Sequence, residues 1–171
     1  MTLPKGWKKE QPTTKKETSS EQKEQSSSKI EKTSSTIITI EDKISIQELI
    51  ARHNSAVDNK NIDEWTNNWT DDGVWSTPFG EAKGKTELKN MINQVTDEFA
   101  HGKRHLSTNI IIEDAPNNMA SAQSYLIVTE AKRTPEVVAS GTYIDTLKKD
   151  ANGKWKFVQR RLEIDLVTDS D

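Results

Sequence analysis

The segment KRHLSTNIII at residues 103–112 combines a strand pattern with side chains that can transfer protons. Three consecutive isoleucines, without Pro or Gly, predict a β-strand. Alternation along a strand places His105, Ser107 and Asn109 on one face. The other face carries Leu106, Thr108 and Ile110. Because imidazole titrates near neutral pH, it can act as a base and as an acid in one reaction cycle. The polar face is predicted to look either at water or into a polar cavity.

A second histidine lies within a helix predicted from about Ile40 to Asn59. The apolar stripe of this helix is formed by Ile46, Leu49, Ile50 and Val57. His53, in the middle of the stripe, is interpreted either as a second acid–base group or as a core histidine with one satisfied nitrogen. Asp58 follows five residues later. It is either a site residue or part of the turn DNKN, in which it would bond its own backbone.

Several tryptophans follow the first helix. A short second helix is predicted with Asn61 as its cap and with Trp65 and Trp69 pointing inward, and the turn-forming DDG at 71–73 is expected to end it. The next stretch, VWSTPFGEAKG, is predicted to be an edge strand and a turn, because it contains Pro and two Gly residues. Trp65, Trp69 and Trp75 are expected either in the core or as walls for an apolar ring.

Helical periodicity continues in a third helix at about Thr86–Phe99, and the pattern then changes to a period of two residues. Strands are predicted at 104–113, 119–131, 136–148 and 154–165, and the clearest turns between them are APNN and DANGK. Helices followed by strands predict an α+β fold, with three N-terminal helices packed on one face of an antiparallel sheet.

The composition limits the class of protein. Residues 1–36 contain few apolar side chains among Lys, Glu, Ser, Thr and Gln, so we expect a disordered tail followed by one domain at 37–168. The net charge of −3 and the lack of a dense basic face argue against nucleic-acid binding. No run approaches the ~18 apolar residues of a membrane span, and no apolar signal segment follows Met1. A cytoplasmic protein is therefore expected.

Metal and cofactor chemistry are not indicated by the sequence. The chain has no cysteine, which excludes thiolate chemistry and a zinc ribbon. The spacing of its 3 histidines and the nearby acids matches no standard zinc or iron site. No glycine-rich phosphate loop is present. We therefore expect neither a metal nor a cofactor.

Three stretches resemble one protein family. IEDKISIQELIARHNSAVDNKNIDEW resembles the opening of the SnoaL-like group, RHLSTN its His-x-x-x-Asn strand, and SGTYIDTLKKDANGKWKFVQRRLEID its closing hairpin. This group of the nuclear transport factor 2-like superfamily includes scytalone dehydratase, bile-acid dehydratase and hexachlorocyclohexane dehydrochlorinase. The resemblance covers residues 38–166. It implies a cone-shaped fold in which the helices and a curved antiparallel sheet enclose a pocket.

The resemblance also implies an acid–base site. In the enzymes of this group a His on the strand moves a proton and an Asp at the end of the first helix orients it, and the matching residues are His105 and Asp58. A carboxylate on the far nitrogen fixes the tautomer and stabilises the imidazolium. An Arg late in the last strand would hold an anionic group or a developing oxyanion. Arg161 is favoured over Arg160 for this role, because Arg161 shares the parity of Trp155 in that strand.

These expectations combine into one predicted site and two possible functions. The predicted catalytic residues are His105, Asp58, His53 and Arg161. The predicted substrate-binding residues are Trp65, Trp69, Trp75, Asn109, Tyr125 and Tyr143. The first function is a cofactor-independent lyase, isomerase or cyclase that uses a His–Asp dyad on a small hydrophobic, ring-bearing substrate. The alternative is a non-catalytic small-molecule-binding or oligomerisation module of the same fold.

Self-association is also expected, as a homodimer or a homotrimer. The predicted outer face of the sheet offers Leu106, Ile110, Ile112, Leu126 and Val128. That many apolar side chains in water would form an unusual patch for a monomer.

Overall fold

The computed structural model describes residues 37–100, 102–131 and 136–168. The tail predicted at 1–36 lies outside the described residues. Its disorder, and the division of the chain into a tail and one domain, therefore stay predictions. Within the described residues, three helices precede most of a six-stranded sheet.

The first helix, α1, spans Ile40–Asp58. The Thr39 hydroxyl accepts a hydrogen bond from the backbone N–H of Asp42, and the Asp42 carboxylate accepts one from the backbone N–H of Thr39. This reciprocal arrangement satisfies two donors that the helix itself leaves free. The buried side of α1 includes Ile46, Leu49, Ile50, His53 and Val57, as the periodicity predicts.

The second helix, α2, is short, at Ile62–Asn67, and is capped by Asn61. The chain then enters strand β1 at Trp69–Thr77. The prediction that DDG at 71–73 forms a turn is wrong, and Trp69 opens a strand instead of ending a helix. The register of β1 shifts between Trp69 and Val74, so an irregular stretch of the strand accommodates these turn-forming residues.

Strand β2, at Gly80–Lys83, forms the edge of the sheet, and β1 lies one position inside it. The edge strand predicted for VWSTPFGEAKG is therefore two strands, and Pro78 lies in the turn between them. Helix α3 follows at Gly84–Glu98 and buries Leu88 and Ile92.

The remaining strands are β3 at Lys103–Ala115, β4 at Met119–Glu130, β5 at Val137–Lys149 and β6 at Trp155–Val167. Each bound lies within two residues of the prediction. The sheet order is β2-β1-β6-β5-β4-β3, and all pairs are antiparallel except β1 with β6. The predicted α+β fold is confirmed, with the helices against a curved sheet.

The main core fills the space between the helices and the sheet. Its largest fully buried apolar members are Trp65, Trp69, Phe157, Ile46, Ile50, Leu88 and Ile92. A second buried cluster joins β4 and β5 and includes Leu126, Val128 and Tyr143. Between these two clusters lies the cavity described below. No helix in the described ranges is long and apolar enough to cross a membrane.

Candidate active site

His105 and Asp58 form a close pair at the junction of β3 and α1. The Nδ1 atom of His105 lies 2.7 Å from Oδ1 of Asp58. The backbone N–H of His105 also donates to the Asp58 carboxylate, at 3.2 and 3.3 Å to its two oxygens. The same residue therefore holds the carboxylate through its main chain and its side chain. This double contact fixes both the carboxylate and the imidazole ring.

The two secondary-structure elements explain this meeting. Asp58 is the last residue of α1, and His105 is the third residue of β3, against which α1 packs. The side chains are only 8% exposed for His105 and 9% for Asp58. Charge–charge and hydrogen-bond contacts are stronger where water is largely excluded.

The pair leaves one histidine nitrogen available for chemistry. Because a carboxylate can only accept, a neutral His105 donates its Nδ1–H to Asp58 and carries a lone pair on Nε2. Within the described residues, no side chain or backbone group hydrogen-bonds to Nε2 of His105. His105 is also part of the wall of a cavity between the helices and the sheet. An imidazole ring held in one orientation by Asp58 therefore borders the cavity.

The cavity lies between the helices and the concave face of the sheet. Its empty volume is about 1000 Å³, including the part that opens to solvent. Most of its wall is apolar, and its aromatic members are Trp65, Trp75, Phe79, Phe99 and Tyr143. Its polar members include His53, Asn54, Thr77, Glu98, His105 and Ser140. An apolar cavity with few polar groups is typical of a small-molecule site.

His53 lies in the same wall, but its surroundings are aromatic. Its ring centroid is 4.9 Å from that of Trp65, 5.7 Å from Trp69 and 5.0 Å from Phe157. The side chain is buried, and its Nδ1 has no hydrogen-bond partner among the described residues. Burial, with the nearby positive charge of Arg160, holds the pKa of His53 well below its usual value of 6.5. His53 is therefore neutral at pH 7, and it is not part of the His105–Asp58 pair.

Arg160, and not Arg161, is the inward-facing arginine of β6. Arg160 is fully buried and makes a bidentate ion pair with Asp145, at 2.8 and 2.7 Å. Its guanidinium lies 4.1 Å from the ring centre of Tyr143. Arg161 is half exposed and pairs with Glu163. The prediction that Arg161 faces the pocket is therefore wrong.

A bulge in β6 causes this reversal. The pairing with β5 runs from Leu147 with Phe157 directly to Thr146 with Gln159, so one extra residue is inserted at 158. An inserted residue shifts the alternation by one, which moves Arg160 to the side of Phe157. Arg160 does not line the cavity itself, so a direct contact with a bound molecule is not indicated for either arginine.

A second bulge removes Asn109 from the cavity. The pairing of β3 with β4 is regular from Lys103 to Thr108 and then shifts before Ile111. Asn109 has a positive φ of 52° and is exposed. Tyr125, opposite Thr108 on the outer face, is also exposed. Both residues lie outside the cavity wall, contrary to the expectation that they line the pocket.

The other predicted aromatic residues occupy two positions, the cavity wall and the core behind it. Trp65 and Trp75 are buried and line the cavity. Trp69 is equally buried but belongs to the core and does not line the cavity. Tyr143 lines the cavity. Burial raises the pKa of its hydroxyl above 10, although the neighbouring Arg160 acts in the opposite direction, so Tyr143 is a neutral donor at pH 7.

The face of the sheet that points away from the helices differs from the prediction. Leu126 and Val128 line the cavity, Ile112 is part of the core, and Ile110 packs against it. Leu106 is exposed, as expected. The bulge at Asn109 and the observed register of β4 explain why residues predicted on the outer face lie in the cavity wall or in the core. The large exposed apolar residues of strands β3 to β6 are Leu106, Ile111, Tyr125, Val137 and Leu166.

Asn54 is a cavity residue that the sequence interpretation missed. It is only 5% exposed, and its Nδ2 donates to the Ser107 hydroxyl at 3.0 Å. The available signal was its spacing, because Asn54 precedes Asp58 by four residues and so lies on the same side of α1. Ser107 follows His105 by two residues on β3 and so lies on the same face of that strand. The described residues contain no group of three His, Asp or Glu side chains that could hold a metal ion.

The fold and the enclosed cavity define a protein of the nuclear transport factor 2-like class, which is also described as cystatin-like. The chain belongs to the SnoaL-like family, because the sequence profile of the SnoaL-like domain matches residues 39–161. No curated protein sequence shows significant similarity to this chain.

Solved structures support the same fold. A protein of unknown function with a cystatin-like fold from Nostoc punctiforme is 34% identical, with a TM-score of 0.71 over 76% of this chain and 96% of that chain. A candidate scytalone dehydratase from Novosphingobium aromaticivorans is 23% identical, with a TM-score of 0.67 over 77% and 89% of the two chains. A Catenulispora acidiphila protein solved in complex with S-DNPA is 25% identical, with a TM-score of 0.65 over 72% and 92%.

Proposed function

We propose that this protein is a cofactor-independent acid–base enzyme of the lyase, isomerase or cyclase type, acting on a small, neutral, ring-bearing molecule. One observation carries the proposal. It is the 2.7 Å contact between His105 Nδ1 and Asp58 Oδ1 in the wall of an apolar cavity, with Nε2 left for a substrate. A buried carboxylate that orients a histidine is the arrangement that general-base catalysis needs.

The proposed reaction begins with proton abstraction from carbon. Nε2 of His105 takes a proton from a carbon next to a carbonyl group, and the C–H electron pair moves toward the carbonyl oxygen. The Asp58 carboxylate stabilises the imidazolium that forms. The neutral hydroxyl of Tyr143, which lines the cavity, is suited to donate a hydrogen bond to the developing oxyanion. His105 then returns its proton to a different carbon, or to a leaving hydroxyl that departs as water.

The charge of the cavity supports a neutral substrate. Among the described residues that line the cavity, none is Lys or Arg. The described part of the wall holds one carboxylate, that of the exposed Glu98. A ligand that carries a carboxylate or a phosphate would lose its hydration there without gaining a cationic partner. The aromatic side chains of the wall, in contrast, offer large flat surfaces to a ring.

A proton-exchange assay tests the proposal without the natural substrate. We would incubate the full chain with 2-tetralone in deuterium oxide and follow the loss of its α-proton signals by NMR. Wild type should accelerate the exchange above the buffer rate, and His105→Ala and Asp58→Asn should lose that acceleration. The matched control is Asp63→Asn, because Asp63 is an exposed carboxylate outside the cavity, paired with Lys89. Equal exchange in wild type and His105→Ala would refute the proposal.

A non-catalytic binding protein is the second candidate. The observation in its favour is the sealed aromatic cluster around His53, which gives one side of the cavity the character of a core. This candidate predicts that 2-tetralone binds but that its exchange rate equals the rate in buffer. Isothermal titration calorimetry beside the exchange assay separates the two functions.

We further propose that the protein self-associates through the outer face of the sheet. The exposed apolar residues Leu106, Ile111, Tyr125 and Leu166 replace the set predicted from the sequence. Sedimentation velocity at micromolar concentration should give a species larger than a monomer. The substitution Leu106→Glu should shift it toward the monomer, because a charge would then be buried in the contact. A wild type that sediments as a monomer would contradict this proposal.

A further inference from the structure

Two contacts join α1 to β3 side by side. The first is the pair of Asp58 with His105, and the second is the hydrogen bond of Asn54 with Ser107. Asn54 and Asp58 are separated by one helical turn, and His105 and Ser107 by one strand repeat. The contact of Asn54 with Ser107 lies beside the Asp58–His105 pair, but it has no part in the proton transfer proposed above. Its arrangement defines a further role for Asn54.

The contact with Ser107 engages the nitrogen end of the Asn54 amide. One N–H of the amide group donates to the Ser107 hydroxyl at 3.0 Å. Within the described residues, the carbonyl oxygen of this side chain has no hydrogen-bond partner. Unlike Nδ1 of His53, this oxygen is not sealed from open space. Because Asn54 lies in the cavity wall, its unpaired acceptor borders the same cavity as Nε2 of His105.

A ligand that fits these two acceptors must bring a hydrogen-bond donor. A ligand that covers this oxygen without donating to it leaves a buried acceptor without a partner, so a ligand donor at this position gains binding free energy that an ether or a hydrocarbon does not. We propose that Asn54 is a specificity-determining residue that accepts a hydrogen bond from a hydroxyl group of the substrate. This inference rests on the proposed function, which gives a neutral, ring-bearing substrate. It adds that this substrate carries a hydroxyl group. A wall without Lys or Arg among its described residues keeps that hydroxyl in its neutral form.

The test compares two ligands that differ in one donor. Binding of 2-naphthol and of 2-methoxynaphthalene to the full chain would be measured by titration calorimetry. Wild type should bind 2-naphthol more tightly by roughly three- to tenfold, the usual scale for one neutral hydrogen bond. Asn54→Leu keeps the approximate shape of the side chain and removes the acceptor, so the ratio of the two affinities should fall to about one.

Three controls make the ratio specific. Ser140→Ala changes another polar residue of the cavity wall and should leave the ratio unchanged. Ser107→Ala keeps Asn54 but releases its amide, so the ratio should fall part of the way. His105→Phe tests whether the naphthol donates to the imidazole instead, and the ratio should persist in this variant. General damage to the fold lowers the affinity for both ligands and does not change the ratio of the two affinities.

Three results of these titrations would overturn the proposed role of Asn54. A wild type that binds neither ligand, or binds both equally, overturns the role of Asn54. A preference that persists in Asn54→Leu and disappears in His105→Phe also overturns it. If Asn54→Leu does not fold, an unchanged ratio in Ser107→Ala overturns the role equally. The assay measures binding alone, so a failure of proton exchange with the preference intact refutes only the proposed catalysis.

Discussion

Two histidines line the same cavity, and their surroundings are opposite. His105 donates to a carboxylate and has a second nitrogen free beside the cavity. His53 is surrounded by three aromatic rings, and its Nδ1 has no partner among the described residues. Asp58 accepts a hydrogen bond from the ring of His105, whereas burial and the positive charge of Arg160 lower the pKa of His53. The residue type alone therefore does not define the role of a histidine, because the surrounding groups determine whether its ring can accept a proton.

Substitution of Arg160 should give the largest change in the surroundings of His53. It is fully buried with Asp145, and the two charges compensate each other. We expect Arg160→Met to lower the free energy of unfolding by about 3–5 kcal/mol, because it leaves a buried carboxylate without its partner. Urea unfolding followed by tryptophan fluorescence would measure the change. A loss below about 1 kcal/mol would show that water reaches Asp145 and that the region around His53 is not dry.

The His105–Asp58 pair should give the next largest effect. If the protein has the proposed activity, Asp58→Asn and His105→Ala should each lower the rate of proton exchange by roughly 10²-fold or more. The double variant should be little worse than the worse single variant, because groups that act as a unit are not additive. Additive losses would show that the two residues act separately, and the contrast with His53 would then disappear.

The pH dependence of stability tests the environment of His53. Its pKa in the folded protein is well below 6.5, so the unfolded chain binds more protons than the folded one as the pH falls below 6.5. This contribution to stability is complete above pH 6.5 and is lost progressively below it, down to the depressed pKa. His53→Phe, which fits an aromatic site, should flatten this part of the profile. Unfolding in urea at pH 7.5, 6.5 and 5.5 would measure it, and parallel profiles for wild type and variant would contradict the prediction.

Arg161 should give the smallest effect. It pairs with Glu163 on the surface, and both side chains are about half exposed. We expect Arg161→Met to change the free energy of unfolding by no more than about 0.5 kcal/mol, because exposed ion pairs are screened by water. This variant is the matched control for Arg160→Met. A loss as large as that of Arg160→Met would mean that the bulge in β6 does not exist in solution.

Most of the elements could be predicted because their signals are local. The capping pair of Thr39 and Asp42 marks the start of α1, and the strand boundaries follow from alternation and turns. The exception is DDG at 71–73, where a turn-forming sequence lies inside β1. The pairing of β1 with β6 shifts between Trp69 and Val74, so an irregular stretch of the strand accommodates this local preference. The meeting of His105 with Asp58 was expected only because the family resemblance supplied it.

The sequence by itself determined the residue types, the helices and strands, and the parity of side chains within each regular stretch. It could not determine which face a side chain has after a bulge. One extra residue at 158 turns Arg160 inward in place of Arg161. The register shift after Thr108 moves Asn109 out of the cavity. The bulges depend on the pairing of strands that are distant in sequence, so they follow from the tertiary structure. The same holds for the contact of Asn54 with Ser107, which joins residues 53 positions apart.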